Sequence, residues 1–309
     1  MPRIEFEKIK DEARGRWRGI FAHLGIEVGD GRHTICPICQ KASKFRCDDK
    51  TGAGEWICTC GAGDGLKLIM EALNVDFVTA VEMIIPIVGI VEPTEREEKK
   101  TFSAEQARKI FVGAVRASHQ NAAGQYLRNR GLRACPETLW YHEKMWNVHS
   151  KTHLPAMVAC VTNKSGQVTN LHQTFLTPDG QKAGIEKPKI LTMNFDKTDP
   201  TGRAIRLFPP EHECVGIAEG IETALACYEM HGIPTWAAVS ASWMIGWEPP
   251  EGIPLRKVYI FGDRDNSFTG QAAAYQLAHK LKVRRKIDVE VQLPPEGDWL
   301  DEHVKRTEK

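Results

Sequence analysis

The chain has 309 residues, enough for two or three domains of ~100–150 residues each. Apolar residues make up 42% of it and charged residues 26%, which excludes a mainly disordered chain. Lysine and arginine together number 41 against 40 acidic residues, so the chain is no polycation and any grip on nucleic acid must come from local basic patches.

From Arg3 to Leu24, apolar residues recur at helical spacing (Ile4, Ile9, Trp17, Ile20, Phe21, Leu24) and predict a helix. The same segment is too charged to hold the apolar core of a signal peptide. Nine cysteines, an odd number without an export signal, argue against a disulfide framework. Cys135, Cys160, Cys214 and Cys227 stand singly in mostly apolar surroundings and read as small buried hydrophobes. The other five fall between Cys36 and Cys60.

Cys36-Pro37-Ile38-Cys39 is a C-x2-C knuckle, and Cys58-Thr59-Cys60 follows after eighteen residues. Two close thiol pairs on short loops are how a small domain sets four thiolates around one Zn²⁺, whose tetrahedral Zn–S bonds of ~2.3 Å put the sulfurs ~3.8 Å apart. Alternate residues of an extended strand stand ~6.5–7 Å apart, so Cys58 and Cys60 must sit in a turn. Cys47 and His33 are the alternative ligands if that short pair fails to close the site. Between the pairs, a hairpin is expected with Phe45 and Trp56 on its arms and Gly52 and Gly54 in its loop. Arg32, Lys41, Lys44, Arg46 and Lys50 surround these aromatics, a composition that suits phosphates and unpaired bases, with Arg46 and Trp56 as the candidate contacts. The alternative is a solvated face over core aromatics.

A helix is predicted over residues 66–84. The most apolar stretch, residues 84–91, contains Pro86 and is under half of the ~20 residues needed to span a bilayer, so no membrane partner is expected. VEPTEREEKKTFS, residues 91–103, reads as a linker. Ser103 then caps a helix expected to run from Ala104 to Arg130 and stop at Gly131; Arg128, Arg130 and Arg133 near its end complement the helix dipole. Residues 135–208 read as short strands and turns. In this stretch Lys182, Lys187, Lys189, Arg203 and Arg206 outnumber Glu186, Asp196 and Asp199.

From Cys214 onward, apolar strands alternate with helices, the pattern of a mainly parallel, helix-covered sheet. VGIA ends at Glu219, and KVYIF ends at Asp263-Arg264-Asp265, so all three acids fall at strand carboxyl ends, where open α/β sheets bind ligands. If the two strands are neighbours, Glu219 lies across roughly 5 Å from the aspartates. Three such carboxylates repel unless a cation offsets them, and hard oxygen ligands with open positions suit Mg²⁺. Three surface acids at loop starts are the bland alternative. Lys280, Lys282, Arg284, Arg285 and Lys286 form the densest basic run and read as a solvated helix end.

EGIETALA at 219–226 followed by the strand-borne DRD at 263–265 resembles the Toprim domain of DnaG-type primases, topoisomerases and some nucleases. GDWLDEH at 297–303 resembles the acidic tail of many phage Toprim domains. HTICPICQ…FRCDDKTGAGEWICTCGAGDGLKLI resembles the zinc ribbon of primases encoded by phages and plasmids, although those ribbons usually end in C-x2-C. Residues 177–208 resemble the region that precedes Toprim in the same proteins.

The resemblance implies a multidomain protein of mixed α/β and α+β class. Its zinc ribbon with flanking helices would span 1–90, a linker 91–103, the first part of a catalytic core 104–210, and a Toprim domain 211–309. It implies a DNA primase: Cys36, Cys39, Cys58 and Cys60 hold structural zinc, while Glu219, Asp263 and Asp265 hold catalytic Mg²⁺ or Mn²⁺ and join nucleoside triphosphates on single-stranded DNA. Asp298 and Asp301 would complete a second metal site, and Lys189, Arg203 and Arg206 would contact nucleotide or template. No G-x-x-x-x-G-K-[ST] loop occurs, so a separate helicase is the expected partner. The implied setting is the cytoplasm of a bacterium or phage-infected host. A Toprim nuclease using the same acids, or a non-catalytic DNA-binding or replication-loading protein, are the competing readings.

Overall fold

The helical pattern near the N-terminus breaks at Gly15, whose φ of 76° no helix accommodates, and resumes as α1 (Trp17–His23) with Trp17, Ile20 and Phe21 buried. The computed structural model describes residues 9–92, 103–195 and 198–307. Residues 3–8 of the expected first helix and 93–102 of the expected linker lie outside the described residues. The chain divides into two compact units, Met1–Lys99 and Lys100–Lys309.

In the first unit a three-stranded antiparallel sheet, β1 (Arg46–Cys47), β2 (Trp56–Cys58) and β3 (Gly61–Gly63), packs with helices around Phe21, Phe45, Leu68 and Ile69. The single helix expected over 66–84 is two. The first, α2 (Gly65–Leu73), starts where the Asp64 side chain accepts the Lys67 N–H at 3.0 Å and ends at Asn74, in the left-handed region at φ 52°. The second, α3 (Phe77–Val88), restarts on Asp76, which accepts the Thr79 N–H at 2.8 Å. Gly65 lies flat against the Trp17 indole: a Cβ there would sit 2.1 Å from Cε3. Gly65→Ala is therefore expected to destabilise this unit by about 1–3 kcal/mol, the usual cost of overpacking. Denaturant unfolding followed by tryptophan fluorescence measures it, and an unchanged midpoint would contradict the packing described.

In the second unit, the helix expected from Ala104 to Arg130 is likewise broken. Ser103 and Gln106 form a reciprocal cap for α4 (Ala104–Phe111), but Gly113 at φ 82° turns the chain into β4 (Val115–Arg116). Asn121 then caps α5 (Ala122–Asn129). An antiparallel sheet follows in the order β4-β5-β6-β7-β8, with β5 (Leu139–Asn147), β6 (Thr152–Thr162), β7 (Val168–Phe175) and β8 (Lys189–Leu191). Strand β5 escaped the sequence reading because a register shift between His142 and Met145 breaks its two-residue alternation.

The chain continues through β9 (Cys214–Ala218), α6 (Ile221–His231), β10 (Thr235–Ala237), α7 (Ala241–Gly246), β11 (Lys257–Phe261), α8 (Thr269–Lys280), β12 (Asp288–Gln292) and α9 (Trp299–Thr307). Its four strands are parallel in the order β10-β9-β11-β12. Both faces are covered, as apolar parallel strands require. Ile217, Val258 and Ile260 pack with Trp236, Trp247 and Leu277 on one side. Ala218 and Phe261 join Leu225, Tyr126 and Leu127 in a second cluster, so the antiparallel and parallel halves share a core. Connections leave β9 and β11 in opposite directions, which opens a crevice at their carboxyl ends. Among the described residues no helix is long and apolar enough to cross a membrane.

Candidate active site and metal centre

The hairpin of the first unit brings the four cysteines together. Cys58 ends β2 and pairs in register with Gly61, so Thr59 and Cys60 form the two-residue turn that C-x-C spacing demands. Cys36 Sγ lies 3.6 Å from Cys60 Sγ, and Cys39 Sγ 3.8 Å from Cys58 Sγ. All four sulfurs fall within 4.8 Å of one another. These are the edges of the sulfur tetrahedron around Zn²⁺, and the four cysteines are positioned to bind one zinc ion. Burial would raise the Cys58 thiol, but the Cys60 backbone N–H and the neighbouring thiols outweigh it and bring it to about 7, easing the loss of its proton to a metal. Cys47 is a buried strand residue raised to about 11, chiefly by burial, and neither it nor His33 joins the cluster.

The candidate nucleic-acid contacts of this unit fare unevenly. Trp56 is 3% exposed, stacks on Phe45 at 5.9 Å between ring centroids, and donates its indole N–H to Asp64 O at 3.1 Å. Its ring belongs to the core, so the expectation that it stacks on bases is corrected. Arg46 is partly exposed and pairs with Asp48 at 2.7 Å, opposite the exposed Ile57.

In the second unit, the crevice at the carboxyl ends of β9 and β11 holds a cavity of about 390 Å³ whose lining includes Glu219, Asp263 and Asp298. Glu219 follows β9 directly, and burial pushes its carboxyl above the usual range, an effect to which Asp265 adds and against which the Ala241 N–H works. Asp263, two residues beyond β11, is pushed up to about 7 by burial first, then by the charges of Glu219, Asp298, Asp265 and Asp301. Its Oδ1 is buried and has no hydrogen-bond partner among the described residues. An orphaned carboxylate oxygen amid like charges is the signature of an electropositive partner, and hard oxygen donors fit Mg²⁺ or Mn²⁺.

Asp265 and Asp301 are placed apart from the cavity lining. The Asp265 carboxylate accepts from Ser267 Oγ at 2.5 Å and from the backbone N–H groups of Gly270 at 2.8 Å and Thr269 at 3.2 Å, which holds it below the usual range. It accepts from the first two N–H groups of α8, whose N-cap position is Phe268, and does not line the cavity. Asp301 is exposed in the first turn of α9, where its N–H donates to Asp298 Oδ1 at 2.9 Å; it too is off the lining.

Cations line the same cavity: Arg130, Lys182 and Lys189. Arg203 and Arg206 do not. The Arg203 guanidinium lies 3.6 Å from the Trp243 ring centroid and donates to Asn170 Oδ1 at 3.3 Å. Arg206 donates to Asn163 O at 2.8 Å and lies over Trp236. Both brace the strand segment against the parallel half, away from the lining of the cavity. Glu222, Tyr126 and His172 are neighbours of Lys189 that sequence reasoning did not single out. Burial alone would raise Glu222, but the Lys189 ammonium and the Tyr126 hydroxyl bring it to about 2. His172 is held down to about 4 by burial and the Lys189 charge, so its ring is neutral near pH 7. The only sequence signal for Glu222 was a second acid three residues after Glu219; Tyr126 and His172 had none.

Residues 31–66 match the family described as the zinc-binding domain of primase-helicase. Residues 214–308 match the Toprim domain, and residues 101–206 match a domain of unknown function, DUF7146. Among solved structures, the chain is similar to a DNA primase domain from Pseudomonas aeruginosa, at 14% identity over 61% of this chain and 69% of that one, with a TM-score of 0.41. For the zinc-binding and RNA polymerase domains of the Aquifex aeolicus primase the figures are 14%, 97% and 81%, and 0.41. The primase fragment of the bacteriophage T7 primase-helicase protein gives 13%, 90% and 96%, and 0.44.

Proposed function

We propose that this chain, which carries a primase-type zinc-binding domain ahead of a Toprim domain, is a DNA primase that joins nucleoside triphosphates on a single-stranded DNA template. The observation that supports this best is the cavity at the carboxyl ends of β9 and β11, in which the carboxylates of Glu219, Glu222, Asp263 and Asp298 and the cations of Arg130, Lys182 and Lys189 share one wall system. Glu219, Asp263 and Asp298 would hold a divalent cation. Bound there, it would stabilise the attacking and leaving oxygens of an in-line displacement. Arg130, Lys182 and Lys189 would bind the triphosphate through charge-assisted hydrogen bonds and orient its α-phosphorus.

The 3′-hydroxyl oxygen of the first nucleotide then bonds to that phosphorus as the α–β phosphoanhydride bond breaks and pyrophosphate leaves. A Glu219 carboxylate oxygen not engaged by the cation would take the hydroxyl proton. Asp265 fixes the loop that presents Asp263. Cations of the zinc-binding unit, Arg46 among them, would hold the template backbone.

The test is incubation of the zinc-loaded protein with single-stranded DNA, nucleoside triphosphates and Mg²⁺ or Mn²⁺, with products resolved by length. New short oligomers are expected. Shortened template without new oligomers would replace this reading with a nuclease, and neither product would leave a binding protein.

A further inference from the structure

Lys189 opens β8, Glu222 stands in the first turn of α6, and Tyr126 lies on α5. The three meet at one oxygen: Lys189 Nζ is 2.8 Å from Glu222 Oε1, and the Tyr126 hydroxyl donates to the same atom at 2.5 Å. The ends of the ion pair are unequally placed. The Glu222 side chain is 9% exposed, whereas that of Lys189 is 39% exposed on the cavity wall. The carboxylate is thus sealed in and the ammonium left open.

An ammonium has three donors, so pairing with Glu222 leaves others to face the cavity. A buried ion pair is a weak source of stability compared with apolar residues of the same size. Its value here is that a flexible four-carbon stem is fixed before any ligand arrives, which lowers the ordering cost of binding. On the neighbouring strand β7, His172 also lines the cavity, its Nδ1 lacking a hydrogen-bond partner among the described residues.

Taking the substrate from the reading above, we propose that Glu222 and Tyr126 are positioning residues that hold the Lys189 ammonium in place as the contact for a phosphate of the incoming nucleoside triphosphate. Glu222 thereby belongs to the phosphate-binding wall of the cavity, although it is only three residues from Glu219. A misplaced Lys189 costs about one charge-assisted contact, on the order of a tenfold change in affinity.

The experiment is calorimetric titration of the zinc-loaded full chain with Mg²⁺-ATP and, separately, with inorganic triphosphate, alongside thermal melting. Glu222→Gln is expected to weaken binding of both probes about 10-fold and to raise KM more than it lowers kcat. Tyr126→Phe should weaken binding in the same direction by less. Because Glu222→Gln also breaks a buried pair, the double variant Glu222→Gln/Lys189→Met is the control. It should recover the melting temperature lost in the single variant without recovering binding.

Unchanged affinity in Glu222→Gln, or a double variant that recovers both stability and binding, would overturn the proposal while leaving the primase reading intact. Inorganic triphosphate bound in a Glu222-dependent way by a protein that makes no oligomers would overturn the primase reading and keep the positioning role. A wild-type protein that binds neither probe overturns both.

Discussion

Asp263→Asn is expected to reduce oligonucleotide synthesis by on the order of 10³-fold, since it removes several kcal/mol of metal-mediated transition-state stabilisation at 1.36 kcal/mol per decade. The same substitution is expected to stabilise the cation-free protein, an opposite sign that a merely structural aspartate would not give. Burial and four neighbouring acids push Asp263 from an ordinary 3.8 up to about 7. A raised carboxyl binds its proton more tightly folded than unfolded. Its penalty is therefore absent below about pH 4, grows between pH 4 and 7, and is complete above pH 7. Replacing the charge with an amide removes a penalty of roughly 2–4 kcal/mol at pH 8, or about 5–10 °C in melting temperature. Saturating Mg²⁺ should stabilise the wild type and not the variant. Synthesis within tenfold of wild type, or a lower melting temperature for Asp263→Asn at pH 8 in chelator, would contradict this account of the site.

Cys58→Ser is expected to lower bound zinc from about one ion per chain to near zero, because a closed structural site has no spare ligand to recruit. Cys47, the nearest other thiol in sequence, is locked into β1 with its proton held by burial. Zinc contributes ~10–16 kcal/mol to the folding of small zinc-dependent peptides, comparable to the whole stability of a domain. Residues 31–63 should then lose hydrogen-exchange protection while Lys100–Lys309 keeps its own. Initiation on single-stranded DNA should disappear, with extension of a pre-annealed primer retained. A variant that keeps stoichiometric zinc would mean that the four sulfurs are not the ligand set.

The parts of this fold legible in the sequence are those where one local rule carries the outcome. Apolar strands of four or five residues followed directly by Glu219 and, two residues on, by Asp263 declared a parallel sheet with acids at its carboxyl edge. The spacing of Cys36, Cys39, Cys58 and Cys60 declared a sulfur site and even its turn. Helix boundaries were lost where caps compete with periodicity: Asn74 with Asp76, and Gly113 with Asn121, each break an amphipathic pattern that otherwise runs on. Side-chain roles were lost where the partner lies far along the chain. Arg203 and Arg206 flank the apolar Ala204 and Ile205 in the sequence, but Trp243 and Trp236 arrive from later elements and stack against them. Lys189 was recognisable as a cation beside a strand, whereas Tyr126, His172 and Glu222 reach it from three separate elements and only the folded chain gathers them.

The most direct measurement on the catalytic cavity is a crystal structure of the protein soaked with Mn²⁺ and a non-hydrolysable nucleoside triphosphate, with the metal located by anomalous scattering. The account predicts a manganese peak within bonding distance of Asp263 and of Glu219 or Asp298, with the triphosphate against Lys189 and Lys182. Manganese and triphosphate bound away from the carboxyl ends of β9 and β11, or a peak there with no phosphate beside it, would contradict it.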